Sequence, residues 1–146
     1  MNTILSLLLA GLLPFTVFGS ITDFYGDWNV IEAGALTLPE STTTTMWVGE
    51  GSDDTHLQLS LHVGNRFMGS IEIVGETSDG STDVVVHGFA STRMMVRPEL
   101  EEMENFVVEE VTKMTHLSME GETLLLTSDD GTKLVCELSG EEEAED

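Results

Sequence analysis

The chain has 146 residues, of which 40% are hydrophobic, and 27 acidic against 5 basic side chains leave a formal net charge of -22. This length suits one domain whose core needs no disulfides. Because binding to phosphate backbones or anionic lipids depends on Lys and Arg, we expect neither nucleic acid nor an anionic membrane surface as a partner. The charge favours a well-solvated surface that resists self-association over a dedicated site for a basic partner.

The N-terminus predicts a secretory signal peptide. An apolar run from Ile4 to Phe18, interrupted by Pro14, is shorter than the roughly twenty residues of a membrane-spanning helix. Modest side chains before Gly19 suit a signal peptidase, although the first three residues include no Lys or Arg. We therefore expect residues 1–19 to be a cleaved leader of a protein that is secreted or enters the secretory pathway. A retained apolar segment packed on the domain is the alternative.

Two strand patterns follow the leader. Trp28 and Val30 alternate with polar residues within Ile21–Ile31, which predicts a first strand. We interpret Trp28 as a core residue, and a tryptophan that plugs one end of a closed barrel is the alternative. The threonine run at positions 42–45 favours a second strand or an edge segment, because β-branched side chains fit a pleated surface.

A hairpin is predicted in the middle of the chain. Between positions 56 and 62, three leucines alternate with polar residues, as in a strand with one buried face. Gly64-Asn65 is interpreted as the turn, because both residue types tolerate positive φ, and Phe67–Val74 as the returning strand. A further strand contains the three valines at positions 84–86, whose β-branched side chains suggest burial on both faces.

Only one helix is predicted with a full set of signals. Pro98 suits the first position of a helix, glutamates follow at its positive end, and Lys113 lies near the negative end. Apolar side chains at intervals of three and four define one stripe that packs on the rest of the domain: Leu100, Met103, Phe106, Val107, Val111 and Met114.

Three short strands joined by turns complete the domain, at residues 116–119, 124–127 and 134–138. Residues 141–146 contain no apolar side chain larger than alanine and are predicted to be a disordered acidic tail, which leaves residues 20–140 as the domain. A single late helix excludes a parallel sheet, because every parallel crossover needs a connection of its own. The pattern therefore predicts a mainly β, antiparallel domain.

The order of these elements resembles the META domain family, which includes heat-inducible HslJ-type proteins of bacteria and META proteins of parasitic protists. The resemblance extends from Tyr25 to Leu138 and depends on three motifs: Gly26-x-Trp28, Asn65-Arg66-x-x-Gly69-Ser70, and Ser91-Thr92-Arg93-Met94-Met95 followed by Pro98-Glu99-Leu100 and Glu104. It implies a small β-barrel of lipocalin-like size with one α-helix packed on it, and a role in stress tolerance or virulence. Family members often carry cysteines where this chain has Gly64 and Val96, so a disulfide or redox role does not transfer.

The sequence contains no recognisable motif for catalysis, for a cofactor or for a metal. The four histidines, His56, His62, His87 and His116, lack the i, i+4 pairing of zinc proteases, although His56 and His62 share a strand face. Cys136 is the only cysteine, lacks a histidine partner and is predicted to be buried and inert. We predict no catalytic, cofactor-binding or metal-binding residue, and hence a protein that is not an enzyme.

The segment from Ser91 to Met95 permits two interpretations. In the structural one, Ser91 and Thr92 turn the chain, Met94 and Met95 fill the core, and Arg93 pairs with a carboxylate. In the functional one, Arg66 and Arg93 form an anion-recognising patch that binds a partner on an otherwise negative surface.

Together these features predict a non-enzymatic binding protein with an unidentified protein partner. A carrier of a small apolar ligand inside the barrel is the alternative, because eight methionines can line an adaptable cavity. Small barrels, however, are usually filled by their own side chains.

Overall fold

The computed structural model describes residues 21–38, 43–76 and 81–139, so the predicted leader and acidic tail lie outside the described residues. Eight antiparallel strands form a closed barrel in which each strand pairs with the next and the last pairs with the first. The strands are Gly26–Ala33 (β1), Thr45–Glu50 (β2), His56–His62 (β3), Arg66–Glu76 (β4), Thr82–Ser91 (β5), His116–Glu120 (β6), Thr123–Thr127 (β7) and Lys133–Leu138 (β8). One α-helix, Pro98–Glu109 (α1), connects β5 to β6. The predicted mainly β barrel with a single helix is confirmed.

The barrel interior is filled by side chains from every strand. In β3 the three leucines point inward and are fully buried, while the polar residues between them point outward, as the alternation predicts. Closure of the sheet gives each strand a neighbour on both sides, although β5 pairs with β6 only at Thr82 and Asp83. The largest completely buried side chains include Trp28, Met46, Leu59, Ile71, Leu117, Leu124, Leu126 and Leu134.

Helix α1 closes one end of the barrel. Its buried side chains are Leu100, Met103, Phe106 and Val107, which confirms the first part of the predicted stripe. The α-helix ends at Glu109, and a 3-10 turn over Val111–Lys113 carries the chain into β6. Val111 and Met114 are buried as predicted, but neither belongs to the α-helix. Val111 is the first residue of the 3-10 turn, and Met114 directly follows that turn. In the part of the chain that the structure describes, no helix combines the length and hydrophobicity that crossing a membrane requires.

The opposite end of the barrel is covered by a 3-10 helix, Ile21–Phe24, so the first strand begins at Gly26 and not at Ile21. Phe24 belongs to the core cluster. The indole Nε1 of Trp28 donates a buried hydrogen bond to the carbonyl oxygen of Phe24 at 3.1 Å. Trp28 is therefore a core residue that also fastens the cover to the barrel.

One prediction about the wall is wrong. Val84 and Val86 are buried, but Val85 between them is 43% exposed. A barrel of this kind has one packed face, its interior, and no described residue buries the outer face of β5 at Val85. Three consecutive valines here reflect the preference of β-branched side chains for a pleated strand and not burial on both sides.

Candidate functional site

A partly buried hydrogen-bond network fixes the segment between β5 and α1 to the β3–β4 turn. Its centre is Asn65, which is 6% exposed. The Asn65 Oδ1 accepts hydrogen bonds from the Met94 N–H at 2.6 Å and the Thr92 hydroxyl at 2.9 Å. Its Nδ2 donates to the Met94 carbonyl oxygen at 3.0 Å. The side-chain amide of Asn65 thus holds the backbone of Met94 through both its donor and its acceptor.

Glu104 of α1 completes this network from the helix. One carboxylate oxygen accepts hydrogen bonds from the backbone N–H groups of Gly64 and Asn65, at 3.1 and 2.6 Å, and the other accepts from Asn65 Nδ2 at 3.0 Å. Charge-assisted hydrogen bonds of this kind are stronger than those between neutral groups. The network therefore links turn, crossover segment and helix into one unit.

Gly64 is required by close packing and not by its backbone conformation. Its φ does not lie in the left-handed region, contrary to the prediction. A Cβ atom there would lie 2.4 Å from Val96 Cγ1 and 3.2 Å from Leu100 Cδ1. The absence of a side chain at Gly64 allows the crossover and α1 to approach the turn.

The network brings Arg66 and Arg93 to the same end of the barrel. The backbone N–H of Arg66 donates to the Thr92 hydroxyl at 3.0 Å, and the backbone N–H of Thr92 donates to the Arg66 carbonyl at 3.1 Å. Both arginine side chains are exposed. Among residues 21–38, 43–76 and 81–139, neither forms an ion pair, whereas Arg97 lies 3.3 Å from a carboxylate oxygen of Glu99. The predicted pairing of Arg93 with a carboxylate is therefore not found in the described part of the chain.

Met94 and Met95 are exposed, and the prediction that they fill the core is wrong. The exposed fractions of their side chains are 59% and 99%. Asn65 binds the backbone of Met94 on the outside of the hairpin, so these residues are held on the surface although their side chains are apolar. Two arginines and two methionines therefore lie together in one exposed region. We call this region, formed by Arg66, Arg93, Met94 and Met95, the arginine–methionine surface.

A second group of polar side chains lies on the outer wall, at the other end of β3. His87 Nε2 lies 2.9 Å from Glu72 Oε1, and the rings of His56 and His87 are nearly parallel with centroids 6.4 Å apart. His56 Nδ1 lies 2.7 Å from Asp53 Oδ1. This hydrogen bond raises the pKa of His56 above its ordinary value, and with further hydrogen bonds from Thr55 it lowers the pKa of Asp53 to about 2. We call His56, Glu72 and His87 the histidine cluster.

A comparison with known protein families shows the family of this chain. The model of the META domain matches residues 21–141. The chain belongs to the META domain family. Of the residues that carried the resemblance, Asn65, Thr92 and Glu104 of this META domain form the hydrogen-bond network. The exposed surface is formed by Arg66, Arg93, Met94 and Met95.

Two solved structures share the META domain fold of this chain. One NMR structure of a protein is 22% identical, covers 78% of this chain and 89% of its own, and has a TM-score of 0.52. An NMR structure of a protein from Burkholderia xenovorans is 14% identical, covers 96% of this chain and 99% of its own, and has a TM-score of 0.52. At these identities the likeness bears on the fold alone. No curated protein matches the chain at a significant level.

The remaining candidate residues of the META domain lie apart. His56 and His62 are the first and last residues of β3, about 20 Å apart at the rise of a strand, and so cannot share an ion. Cys136 is buried, as predicted, and burial raises the pKa of its thiol to about 12. Its neutral form and inward position leave it without the thiolate that a nucleophile needs.

Proposed function

We propose that this META domain protein acts by binding a protein partner through the arginine–methionine surface, and that it is not an enzyme. The observation that carries the proposal is a pair of exposed arginines without a carboxylate partner in the described part of the chain, beside two exposed methionines, on a molecule with a net charge of -22. In so acidic a protein, an arginine that forms no ion pair with the described part of the chain is available to a partner.

The chemistry of the surface indicates the partner. The arginine guanidinium is always charged and matches a carboxylate with two parallel hydrogen bonds. Methionine side chains adapt to apolar surfaces of irregular shape. The partner that fits is a protein segment with one or more carboxylates next to an apolar side chain. A cleft of about 250 Å³ lies beside Arg66 and is lined by Trp47, Ser60 and His62 among others. This cleft offers a place for a side chain of the partner segment.

Replacement of both arginines tests this proposal. We expect Arg66→Ala combined with Arg93→Ala to abolish capture of the partner from cell extract, and to change the free energy of unfolding by less than about 1 kcal/mol, the scale of exposed charges. Capture is measured with the immobilised protein and mass spectrometry, and stability by denaturant unfolding.

The matched control is Lys113→Ala combined with Lys133→Ala. Both lysines are exposed, so this variant loses the same charge at other places on the surface. A partner lost from both variants would indicate a general charge effect and would reject the arginine–methionine surface. Unfolding of the arginine variant would instead mark the two residues as structural. A hydrolytic or redox activity of the purified protein that a single substitution removes would reject the non-enzymatic proposal.

The carrier of an apolar ligand has less support. The barrel interior is occupied by its own buried side chains, including Met46, Met103 and Met114. Such filling is typical of small barrels and argues against a ligand cavity among the described residues. Native mass spectrometry that finds a co-purified lipid, together with uptake of an apolar fluorescent probe, would restore this alternative.

We also propose that the protein enters the secretory pathway and loses its leader there. The apolar run before Gly19 supports this proposal. N-terminal sequencing of protein isolated from cells should find a start near Ser20, and a start at Met1 would contradict it. The role in stress tolerance or virulence that the resemblance implies stays a prediction.

A further inference from the structure

We propose that the histidine cluster, His56, Glu72 and His87, binds a divalent transition-metal ion such as Zn²⁺ on the outer wall of the barrel. One ligand atom from each of these residues lies within 4.8 Å of the other two. Two imidazole nitrogens and one carboxylate oxygen suit zinc and its neighbours, whereas Mg²⁺ and Ca²⁺ prefer oxygen ligands alone. This site differs from the sequence-based prediction, which considered His56 with His62 and expected no metal.

Three adjacent strands position the cluster. His56 of β3 and Glu72 of β4 are direct partners in the antiparallel ladder. The β4–β5 register shifts by one residue, so Met68 is opposite Ala90 but Ser70 is opposite His87. Without this shift His87 would be opposite Ile71, which points into the barrel, because paired residues share a face. The irregularity therefore places His87 on the outer face beside Glu72.

Asp53 forms a hydrogen bond with His56, as a carboxylate often does with a histidine that binds a metal ion. Its Oδ1 lies 2.7 Å from His56 Nδ1, which leaves Nε2 as the atom available to an ion. The backbone N–H and hydroxyl of Thr55 both donate to the same oxygen, at 2.9 and 2.8 Å, and fix its position. Histidines that bind metals commonly use their second ring nitrogen in this way, because a carboxylate there fixes the ring orientation.

The cluster has room for an ion and for a further ligand. Ligand atoms about 2 Å from one tetrahedral ion are about 3.3 Å apart. The ligand atoms of the cluster lie within 4.8 Å of one another, so the side chains must close by at most about 1.5 Å. His87 and Glu72 are 50% and 38% exposed and can make this movement. Three protein ligands leave the fourth position to water or to a group of another molecule. The negative charge of the whole protein raises the local concentration of cations.

Calorimetric titration of the full chain with Zn²⁺ tests the proposal. Excess Mg²⁺ is present throughout to occupy the many carboxylates that bind cations without selectivity. We expect one saturable Zn²⁺ site per chain. Substitution of a residue that hydrogen-bonds to a metal ligand typically lowers metal affinity about 10–100-fold. His87→Gln and Glu72→Gln remove the ligands themselves, so each should weaken Zn²⁺ binding by at least about 100-fold.

His62→Gln is the matched control, since His62 lies on the same strand as His56 but outside the cluster. It should leave the affinity unchanged. In NMR spectra, Zn²⁺ should shift the ring signals of His56 and His87 and not those of His62 and His116. Asp53→Asn tests a positioning residue. It should weaken Zn²⁺ binding about tenfold, while the metal-free variant remains folded at the temperature of the titration.

Several outcomes would overturn the proposal. These are no saturable heat, equal affinity for the wild type and His87→Gln, or an equal loss in His62→Gln. Circular dichroism spectra that show the metal-free variants folded at the temperature of the titration ensure that lost binding is not lost folding. The proposal is independent of the arginine–methionine surface, because the two regions share no residue.

Discussion

Trp28→Ala should lower the free energy of unfolding by about 3–5 kcal/mol, the largest loss we expect from any single substitution in this protein. Trp28 is 1% exposed and fills the barrel beside the 3-10 helix that covers one end. Its removal opens a cavity and deletes the hydrogen bond from its indole to the Phe24 carbonyl. The midpoint of denaturant unfolding, followed by circular dichroism because the substitution removes one of the two tryptophan fluorophores, measures the loss.

The second tryptophan provides the control. Trp47 is 40% exposed on the outer face of β2, so Trp47→Ala leaves no internal cavity and should cost at most about 2 kcal/mol. Trp28→Phe keeps most of the apolar volume and separates packing from the hydrogen bond. In that variant the Tyr25 amide, which donates to the Thr22 carbonyl within the cover, should exchange hydrogen faster. Equal losses for the two alanine variants would contradict the assignment of Trp28 to the core.

The sequence was sufficient to predict those features of the fold that depend on residues close together along the chain. The alternation of Leu57, Leu59 and Leu61 predicts which face of β3 is buried, because side chains in a strand point to opposite sides in turn. Pro98 marks the first residue of α1, because proline lacks the N–H that this position does not use. Such features are local, and local geometry is encoded in residue type.

The arginine–methionine surface depended on contacts that no local pattern encodes. Methionines within an apolar-rich segment indicate burial, yet Asn65 binds the backbone of Met94 from 29 residues away and holds it on the surface. The only available signal was the occurrence of Asn65, Thr92 and Glu104 in the family motifs. A polar residue that belongs to such a motif indicates a buried network as readily as it indicates a binding site.

The histidine cluster was missed for a related reason. Its members are separated by 16 and 15 positions and come together only through pairing of β3 with β4 and of β4 with β5. A one-residue register shift decides whether His87 points outward. Gly88 within β5 is compatible with a bulge, but a strand glycine alone does not specify the register. Gly64 likewise fits the pattern of a turn glycine, but its role is different. The absence of a side chain there allows Val96 and Leu100 to pack against the turn.

Asn65→Ala should lower the free energy of unfolding by about 2–4 kcal/mol, although it removes few atoms and leaves the barrel core intact. The cost comes from the groups that lose a partner. The Met94 N–H and carbonyl are left without the amide, and Glu104 loses one of its donors in a partly buried position. Each unsatisfied buried group costs about 1–3 kcal/mol, and more when it is charged.

Asn105→Ala is the matched control, since Asn105 lies on the exposed face of α1 one residue after Glu104. It should change stability by no more than about 0.5 kcal/mol, as surface substitutions usually do. Asn65→Asp is a sharper test because it keeps the shape of the side chain. The new carboxylate replaces a donor with an acceptor 3.0 Å from the Glu104 carboxylate and 3.0 Å from the Met94 carbonyl oxygen. At neutral pH it should therefore destabilise the protein at least as much as Asn65→Ala does.

These variants also separate the network from the binding surface. If Asn65 holds Met94 and Met95 outward, then Asn65→Ala should loosen the crossover segment and raise hydrogen exchange at the Met94 amide before the rest of the protein unfolds. Capture of the partner should then weaken, although no residue of the arginine–methionine surface has changed. A variant that unfolds as one unit, with no earlier exchange at Met94, would show that Asn65 contributes to global stability alone. In that case the position of the two methionines would depend on the remaining contacts of the crossover.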